Sequence, residues 1–333
     1  MCFQSDVWHL KSGVLATLLY LFLNIIFMLR IPFYFLAALT LFSCKPSTPA
    51  TEEMKITSAD TLAGGVLNIP GLSRIWDTEA TLTTSESVLY DKMNNVLYVS
   101  CINGIPTDKK DGDGFISRVT TDGKIKDLKW VTGLNGPKGM GQSGNTLYVA
   151  DIDRLVSIDI TKGKISQTWK VNGAQFLNDV CVVEDGTVYF TDSNTSTIYS
   201  LSQGKVAVVY ADTALGGTNG ILVEGNTMYL AGSMTGIFYR MDIPSKKIEK
   251  VATEVPGCDG IERYGDAFLV SNWNGQIYHI SSSGEVTLLL DSQEAKLNAA
   301  DIEVIADKHL LLVPTFFGNS VTAYQLVTPG NVE

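Results

Sequence analysis

A short phrase recurs six times along the chain at a nearly constant spacing. Successive copies begin 52, 40, 41, 40 and 41 residues apart, and five of the six opening residues are polar. The copies are Glu86-Ser87-Val88, Lys138-Gly139-Met140, Asn178-Asp179-Val180, Asn219-Gly220-Ile221, Asp259-Gly260-Ile261 and Ala300-Asp301-Ile302. Repeats of about 40 residues that consist of short strands are typical of propeller blades. Each opening residue is therefore expected at the same height on the innermost strand of its blade, facing the central channel.

The segments between the phrases have the pattern of short antiparallel strands. In the fourth copy, an alternating apolar segment at 220–224 turns at Gly225-Asn226 and is followed by strand patterns at 227–231, 236–243 and 248–253. Glycine and asparagine at such turns supply the positive φ angles of tight hairpins. A parallel sheet with helices is the competing class, but no helical period of useful length occurs after residue 60. The predicted fold is all-β, a six-bladed β-propeller over residues 72–327, with residues 328–333 as a tail.

The sixth copy ends after its third strand, which would leave an exposed sheet edge. The segment Arg74-Ile75-Trp76-Asp77-Thr78 precedes the first copy and matches the outer-strand pattern of Ile248-Glu249-Lys250-Val251. We therefore expect an N-terminal strand to complete blade six and to join the two ends of the propeller in one sheet.

The first 43 residues have the pattern of a leader. Met28-Leu29-Arg30 resembles a fresh start, followed by an apolar segment and then Leu41-Phe42-Ser43-Cys44, which resembles a bacterial lipoprotein signal. In this interpretation Met28 is the true initiator and Cys44 carries the lipid. Residues 44–71 form a polar, proline-containing tether. The alternatives are an ordinary cleaved signal or a transmembrane hairpin.

Acidic residues outnumber basic residues by 35 to 25. This balance argues against nucleic acid as a partner, because phosphate binding requires a basic surface. The expected partners are a small-molecule substrate or ligand and, through the N-terminal lipid anchor, a membrane. The protein is expected to be a monomer in the cell envelope, in the periplasm or at the outer membrane.

The phrase openings place oxygen-bearing side chains at matched positions in four blades. Two carboxylates and two carboxamides that converge on one axis suit a hard cation, and Ca²⁺ accepts six to eight oxygen ligands in irregular geometry. The predicted cofactor is one divalent cation, and the ligand types favour Ca²⁺. The alternative is that these polar groups line a wet channel and hydrogen-bond to neighbouring blades. The predicted metal ligands are Glu86, Asn178, Asn219 and Asp259.

These four residues resemble the calcium site of the senescence marker protein and gluconolactonase superfamily, which also includes paraoxonases and diisopropylfluorophosphatases. The segment 184–193 (EDGTVYFTDS) resembles a recurring segment of its lactonase members. The resemblance implies a six-bladed propeller that hydrolyses lactones or related esters with one divalent metal. It also implies that Asp259 is a metal ligand, with a second role as general base or with coordination as its only role.

The sequence departs from that family at two places. An Arg-x-Asn pair that binds sugar in gluconolactonase-like members is replaced here by Asn135-Gly136-Pro137, which argues against a sugar lactone. None of the three histidines occupies the position of the paraoxonase-like histidine pair. Lys138 occupies the blade-two position of the ring, where it either stabilises an oxyanion as a catalytic group or bridges two carboxylates across the channel.

Loops that leave the second strands are expected to overhang the ring. The predicted substrate-binding residues on these loops are Asn103, Asp151, Asp192, Asn272, Trp273 and Phe316. Aromatic groups beside a few polar groups are typical of pockets for small organic ligands. The longest loop, at 103–114, is interpreted as a solvated flap, because its acidic residues do not fit the ligand spacing of an EF-hand.

The sequence thus predicts a metal-dependent, calcium-type hydrolase of a small lactone or ester. The chief alternative is a non-catalytic propeller that binds a ligand or a protein and uses the metal for structure, and a membrane-tethered scaffold is the third.

Overall fold

Twenty-four β-strands form six four-stranded antiparallel sheets within residues 71–327, which are the residues that the computed structural model describes. The leader, Cys44, nearly all of the tether and the tail lie outside these residues. Two single-turn 3-10 segments, Thr213–Leu215 and Ala306–Lys308, are the helical elements of this part of the chain. No helix within it is long and apolar enough to cross a membrane.

Each of the first five blades contains four consecutive strands, numbered from the channel outwards. Blade one contains β2 (Ser85–Asp91), β3 (Val96–Cys101), β4 (Gly114–Thr120) and β5 (Ile125–Leu134). Blade two contains β6 (Pro137–Ser143), β7 (Thr146–Asp151), β8 (Arg154–Asp159) and β9 (Lys164–Lys170). Blade three contains β10 (Leu177–Val182), β11 (Val188–Asp192), β12 (Thr197–Ser202) and β13 (Lys205–Ala211).

Blades four and five repeat this order. Blade four contains β14 (Thr218–Glu224), β15 (Thr227–Gly232), β16 (Ile237–Asp242) and β17 (Ile248–Ala252). Blade five contains β18 (Cys258–Tyr264), β19 (Ala267–Asn272), β20 (Gln276–Ile280) and β21 (Val286–Asp291).

Blade six joins the two ends of the propeller. It contains β22 (Glu303–Ile305), β23 (Leu310–Pro314) and β24 (Val321–Val327) from the end of the propeller, and β1 (Gly71–Asp77) as its outer strand. β1 pairs antiparallel with β24, and the Thr322 hydroxyl donates a hydrogen bond of 2.6 Å to the Asp77 carboxylate. The structure therefore confirms the all-β class, the six blades and the closure by an N-terminal strand.

The apolar core lies between the blades. Six clusters of buried apolar side chains each join two neighbouring blades, and together they include every neighbouring pair. Between blades four and five, for example, the rings of Phe238 and Phe268 meet edge to face with centroids 4.9 Å apart. Burial of apolar area between blades is the main favourable term that closes such a circle.

A β-bulge lies at the recurring phrase in each of blades one to five. In blade three, Asn178 and Asp179 together oppose the single residue Thr191. The pairing shifts at the same place in the other four of these blades. Bulges redirect side chains and are frequent beside functional sites. The simple alternation of strands does not predict this feature, and it determines where the ring side chains point.

Hydroxyl groups satisfy backbone groups that the bulge removes from the ladder. In blades one, three and five the residue opposite the bulge is a serine or threonine, and its oxygen accepts a bulge N–H. The pairs are Ser87 with Ser100 (2.9 Å), Asp179 with Thr191 (3.0 Å) and Gly260 with Ser271 (2.8 Å). A buried N–H without a partner is costly, so these hydroxyls stabilise the bulge.

Glycine after the ring residue allows neighbouring inner strands to approach closely. A Cβ at Gly220 would overlap the backbone oxygen of Asp259 in the next blade. The φ angle of Gly220 lies outside the left-handed region, so this overlap, and not backbone strain, requires glycine here. We predict that Gly220→Ala lowers the free energy of unfolding by about 3 kcal/mol, because backbone must shift to admit the methyl group. The expected fall in melting temperature is roughly 5–10 °C.

Gly71→Ala is the matched control for Gly220→Ala. Its added Cβ would lie 3.9 Å from the nearest atom, the Val327 oxygen, at the start of β1. Melting followed by circular dichroism compares the two variants with the wild-type protein. Equal melting temperatures for both variants would contradict close approach at Gly220.

Candidate functional site

The six phrase openings lie around the inner ends of the blades. Glu86, Lys138, Asn178 and Asp259 are buried and Asn219 is half-buried, all within bulges of the innermost strands. The sixth opening, Ala300, is fully buried and precedes β22. We call these six residues the channel ring.

Three oxygens of the predicted ligand set have no hydrogen-bond partner although they are buried. They are Glu86 Oε2, Asn219 Oδ1 and Asp259 Oδ1, and they account for three of the five such side-chain atoms in residues 71–327. The fourth predicted ligand, Asn178, donates from Nδ2 to the Ser193 hydroxyl at 3.0 Å. Buried polar atoms without partners are rare in folded proteins and require an explanation.

The carboxyl groups of the ring have strongly raised pKa values. Burial raises the pKa of Glu86 well above its ordinary value, and the Asp259 charge raises it further. Burial, with the Asp179 charge, also raises the pKa of Asp259 to about 8. Both shifts arise because carboxylates are held close together away from water. A bound cation would lower the pKa values of both groups, because it stabilises their charged forms.

The donor set fits a hard divalent cation. Two carboxylates and two carboxamides are the groups that Ca²⁺ prefers, and its irregular coordination tolerates open positions. In residues 71–327 no three His, Cys, Asp or Glu side chains form a metal-binding cluster. Any cation at the channel ring would therefore depend on the carboxamides of Asn178 and Asn219 together with the two carboxylates.

The side chain of Lys138 ends among backbone carbonyl groups and an aromatic ring. Its Nζ donates to the carbonyl oxygens of Gly136 (3.1 Å) and Thr107 (3.4 Å) and lies 4.1 Å from the centre of the Phe176 ring. Burial lowers the pKa of the ammonium group, and the negative charge of Glu86 opposes that shift. Within the described residues Lys138 has no carboxylate oxygen within 4 Å. The interpretation of Lys138 as a bridge between carboxylates is therefore wrong.

The two aspartates predicted to bind substrate hold the backbone of adjacent loops. Asp151 is buried and accepts from the N–H groups of Asn135 and Gly136, at 2.9 and 2.7 Å. Asp192 is also buried and accepts from the N–H groups of Gln175 and Phe176. Such side chains fix the shape of the mouth.

The two predicted asparagines also form contacts within the loops. Asn103 accepts from the Thr83 hydroxyl at 2.6 Å and donates to Asp113 at 3.0 Å. Asn272 accepts from the backbone N–H of Asn274 at 2.7 Å. A role in substrate binding stays a prediction for all four polar residues.

Three aromatic side chains form an apolar surface beside the ring. Trp273, Phe316 and Phe317 meet edge to face, with centroids 4.9–5.9 Å apart. Phe316 packs with Ala300 and Ile102, whereas Phe317 is 53% exposed. We call Trp273, Phe316 and Phe317 the aromatic wall. Phe316 has a φ angle of 47°, and such backbone strain in a non-glycine residue often occurs at functional sites.

The flap at 103–114 connects blade one to the blade-two side of the mouth. Lys110 forms a 2.7 Å ion pair with Asp153 in the turn after β7. The Thr107 carbonyl accepts from Lys138, so the flap also contacts the ring. The structure thus links the flap to the lysine of the ring.

Acidic residues further along the inner strands were missed by the sequence interpretation. Asp179 accepts from the N–H of Ile221 in the next blade at 2.8 Å, and Glu303 accepts from the N–H of Tyr90 at 2.9 Å. Asp301 accepts from the Ser87 hydroxyl at 2.6 Å. The sequence does contain a sign of two of them, because aspartate is the second residue of the third and sixth recurring phrases. These carboxylates connect neighbouring blades.

Comparison with known proteins supports the fold and leaves the family open. No family model matches the chain. The Arabidopsis thaliana protein strictosidine synthase-like 7 is 28% identical over 164 residues, which cover 46% of this chain and 37% of that protein. The chain thus spans less than two fifths of the length of this relative. Membership of the gluconolactonase superfamily stays a prediction.

Solved structures with the same fold share little sequence with the chain. A catalytically inactive variant of virginiamycin B lyase from Staphylococcus aureus with quinupristin has a TM-score of 0.55 and 15% identity, covering 78% of this chain and all of that chain. A streptogramin B lyase has a TM-score of 0.57 and 13% identity, over 77% and 98% of the two chains. A chain of a nidogen–laminin complex has a TM-score of 0.53 and 16% identity, over 64% and 82%. Identities this low show the propeller fold alone.

Glu303, a half-buried acid at the start of β22, allows a raised carboxyl pKa to be tested away from the predicted ligands. Burial raises the pKa of its carboxyl group from 4.5 to about 7. Between these pH values the folded protein keeps a proton that the unfolded protein releases, so this group lowers stability as the pH rises from 4.5 to about 7. We predict that Glu303→Gln removes a decrease of up to about 1.4 kcal/mol per pH unit over this range.

The measurement is chemical denaturation at several pH values from 4.5 to 8. Glu294→Gln is the control, because it removes an acid from an exposed position. The glutamine oxygen of Glu303→Gln retains an acceptor for the Tyr90 N–H. If stability depends on pH equally in Glu303→Gln and the wild-type protein, the raised pKa is contradicted.

Proposed function

We propose that this protein is a divalent-cation-dependent hydrolase of small lactones or esters, with a calcium-type ion held by Glu86, Asn178, Asn219 and Asp259. The observation that carries the proposal is the group of unpartnered buried oxygens of Glu86, Asn219 and Asp259. Three such atoms at matched blade positions have a common explanation if they are ligands of one ion. The fold neighbours include lyases, which is consistent with catalysis on a propeller of this shape.

The proposed reaction is addition of water to a carbonyl carbon. When bound, a divalent cation would supply Lewis-acid chemistry at the carbonyl group. Asp259 accepts a proton from the attacking water while the water oxygen bonds to the carbonyl carbon. The ester C–O bond then breaks, and the leaving alkoxide takes up the proton to give an alcohol and an acid. A lactone follows the same steps and opens to a hydroxy acid.

Lys138 has an indirect role in this proposal. Its ammonium group faces the Gly136 and Thr107 carbonyl oxygens, so it holds the flap against blade two. Its positive charge also opposes the rise in the pKa of Glu86. We therefore assign proton transfer to Asp259 and assign Lys138 to electrostatic support of the ring.

The second candidate is a binding propeller with a structural ion. It is favoured by the contacts of four predicted substrate-binding residues, whose side chains hold the loops of the mouth: Asn103, Asp151, Asp192 and Asn272. A neighbour from a nidogen–laminin complex is consistent with this alternative. Both candidates require the ion, and catalysis distinguishes them.

Calcium binding and hydrolysis are tested together with Asp259→Asn. We expect calcium at 100 times its dissociation constant to stabilise the chelator-treated wild-type protein by about 2.7 kcal/mol, which raises the melting temperature by roughly 5–10 °C. Asp259→Asn keeps the side-chain shape but removes a charged ligand and the proton acceptor. It should lose most of this shift and all calcium-dependent hydrolysis of a lactone and ester panel.

Each result of this experiment decides between the candidates. No calcium shift in the wild-type protein rejects the ion site and both candidates. A shift without hydrolysis of any panel member supports the binding propeller. Hydrolysis that persists in Asp259→Asn excludes Asp259 as the proton acceptor.

The aromatic wall suggests that the non-reacting part of the substrate is apolar. Phe317 is exposed at the mouth, and Phe316 packs on Ala300, the apolar member of the ring. We predict that kcat/KM for 4-nitrophenyl esters rises with acyl-chain length in the wild-type protein. Phe317→Ala should lower kcat/KM for the longer esters by about tenfold, because it removes apolar contact area.

Met234→Ala is the control for Phe317→Ala. Met234 is 76% exposed and lies in the turn after β15, on the same face in blade four. It lies outside the three residues of the aromatic wall, so its loss should leave the dependence on chain length unchanged. An equal effect of both variants would show that general apolar exposure at the mouth, rather than the aromatic wall, determines the preference.

A further inference from the structure

We propose that Ser193 is a positioning residue that orients the carboxamide of Asn178 so that its oxygen faces the channel axis. This inference rests on the proposed cation site. Ser193 follows β11, and its hydroxyl lies 3.0 Å from Asn178 Nδ2 and 3.0 Å from the carbonyl oxygen of Thr218. The same hydroxyl therefore contacts a predicted ligand in blade three and the backbone of blade four.

The chemistry of a hydroxyl group determines the direction of both hydrogen bonds. A serine hydroxyl has one proton to donate, and a carbonyl oxygen can only accept. The Ser193 proton is therefore donated to Thr218, and only the lone pairs of the oxygen remain for Asn178. The amide nitrogen of Asn178 can donate to these lone pairs, whereas its oxygen would be repelled. The Oδ1 atom is consequently directed away from Ser193.

Ser193 is itself held in place by the surrounding loop. Its backbone N–H donates to the carbonyl of Phe176 at 3.0 Å. The preceding residue, Asp192, is buried and accepts from the N–H groups of Gln175, Phe176 and Thr195. A hydroxyl on this fixed backbone can impose an orientation on Asn178, because the loop does not need to reorganise.

Two hydroxyls of blade three also hold the next ligand-bearing strand. Thr218 immediately precedes Asn219, and its carbonyl accepts from Ser193. The carbonyl of Asn219 accepts from the Thr191 hydroxyl at 2.7 Å. The backbone on both sides of the Asn219 nitrogen is thus tied to blade three, which fixes the separation between the ligands Asn178 and Asn219.

The hydroxyl of the equivalent serine of blade four forms no hydrogen bond with a predicted ligand in the described residues. Ser233 follows β15 as Ser193 follows β11, and its hydroxyl donates to the carbonyl of Gly217 at 2.8 Å. The two serines therefore share a position and a bond to a backbone carbonyl. Ser193 differs in bonding an asparagine side chain and in reaching a carbonyl of the next blade, whereas Gly217 belongs to the blade of Ser233 itself. Ser233→Ala is therefore the control for loss of a hydroxyl at this position of a blade.

The test is the dissociation constant for calcium, measured by titration calorimetry on the chelator-treated protein. Loss of the hydroxyl leaves the Asn178 amide free to turn its N–H groups towards the ion. We expect Ser193→Ala to weaken binding by about 10–100-fold, the range typical of residues that orient metal ligands. Ser193→Thr should restore the affinity to within about threefold of wild type, while its near-isosteric partner Ser193→Val should not.

The controls separate positioning from general destabilisation. Ser233→Ala should bind calcium like the wild-type protein, and the melting temperatures without calcium should be similar among all variants. The inference about Ser193 is overturned, with the cation site intact, if the wild-type protein binds calcium and Ser193→Ala binds it equally well. Equal weakening by Ser233→Ala, or equal affinities of the threonine and valine variants, also overturns it. A wild-type protein that binds no calcium overturns the cation site and this inference together.

Discussion

The channel-facing edge of the innermost strands is the constraint on which the rest of this propeller depends. An inner strand pairs on one side only, so its other edge presents N–H and C=O groups that need partners. Here the partners come from the neighbouring blade. The Asp179 carboxylate accepts from the N–H of Ile221, and the Thr191 hydroxyl donates to the carbonyl of Asn219. Ser271 makes the equivalent bond to the carbonyl of Ala300. These polar contacts set the spacing of the blades, while apolar burial between the blades supplies most of the stabilisation.

This way of satisfying the inner edge has an electrostatic consequence. The backbone N–H groups of this edge need hydrogen-bond acceptors where water has little access. Carboxylate side chains serve as some of these acceptors, so several lie around the channel. Burial raises the pKa of Asp179 to about 6. Burial, together with the charge of Asp179, raises the pKa of Asp301 well above its ordinary value. The ammonium group of Lys138 donates to backbone carbonyls rather than to these carboxylates, although its charge opposes the rise in the pKa of Glu86. A cation would favour the ionised form of these carboxyl groups, and the unpartnered oxygens of the ring lie among them.

The features that follow from the repeat spacing could be predicted from the sequence. The geometry of the ring could not, because it depends on local departures from that spacing. Spacing identified the six blades, and the pattern around Trp76 identified the closing strand. The bulges were not predictable from alternation, because an added residue leaves the apolar pattern on either side intact. Asp151 and Asp192 have the composition of binding residues, yet their oxygens hold loop N–H groups, and only coordinates reveal such partners. The direction of Lys138 was missed because it depends on the flap carbonyl of Thr107, 31 residues away in sequence.

The contacts that hold the blades together involve different groups from the side chains of the ring. This separation explains how the same fold occurs in chains with little sequence in common. The contacts that hold the blades together use backbone groups, hydroxyls and apolar surfaces, which many sequences can provide. The ring side chains lie in bulges, outside the ladder, so they can change without breaking a strand pair. Function in such a fold is therefore encoded in a few side chains rather than in the blades. In this chain the four oxygen-bearing residues and the apolar contact of Ala300 with Phe316 make the ring asymmetric. The side of the ring near blade six is therefore apolar, whereas the side near blade two carries a lysine that is held by backbone carbonyls.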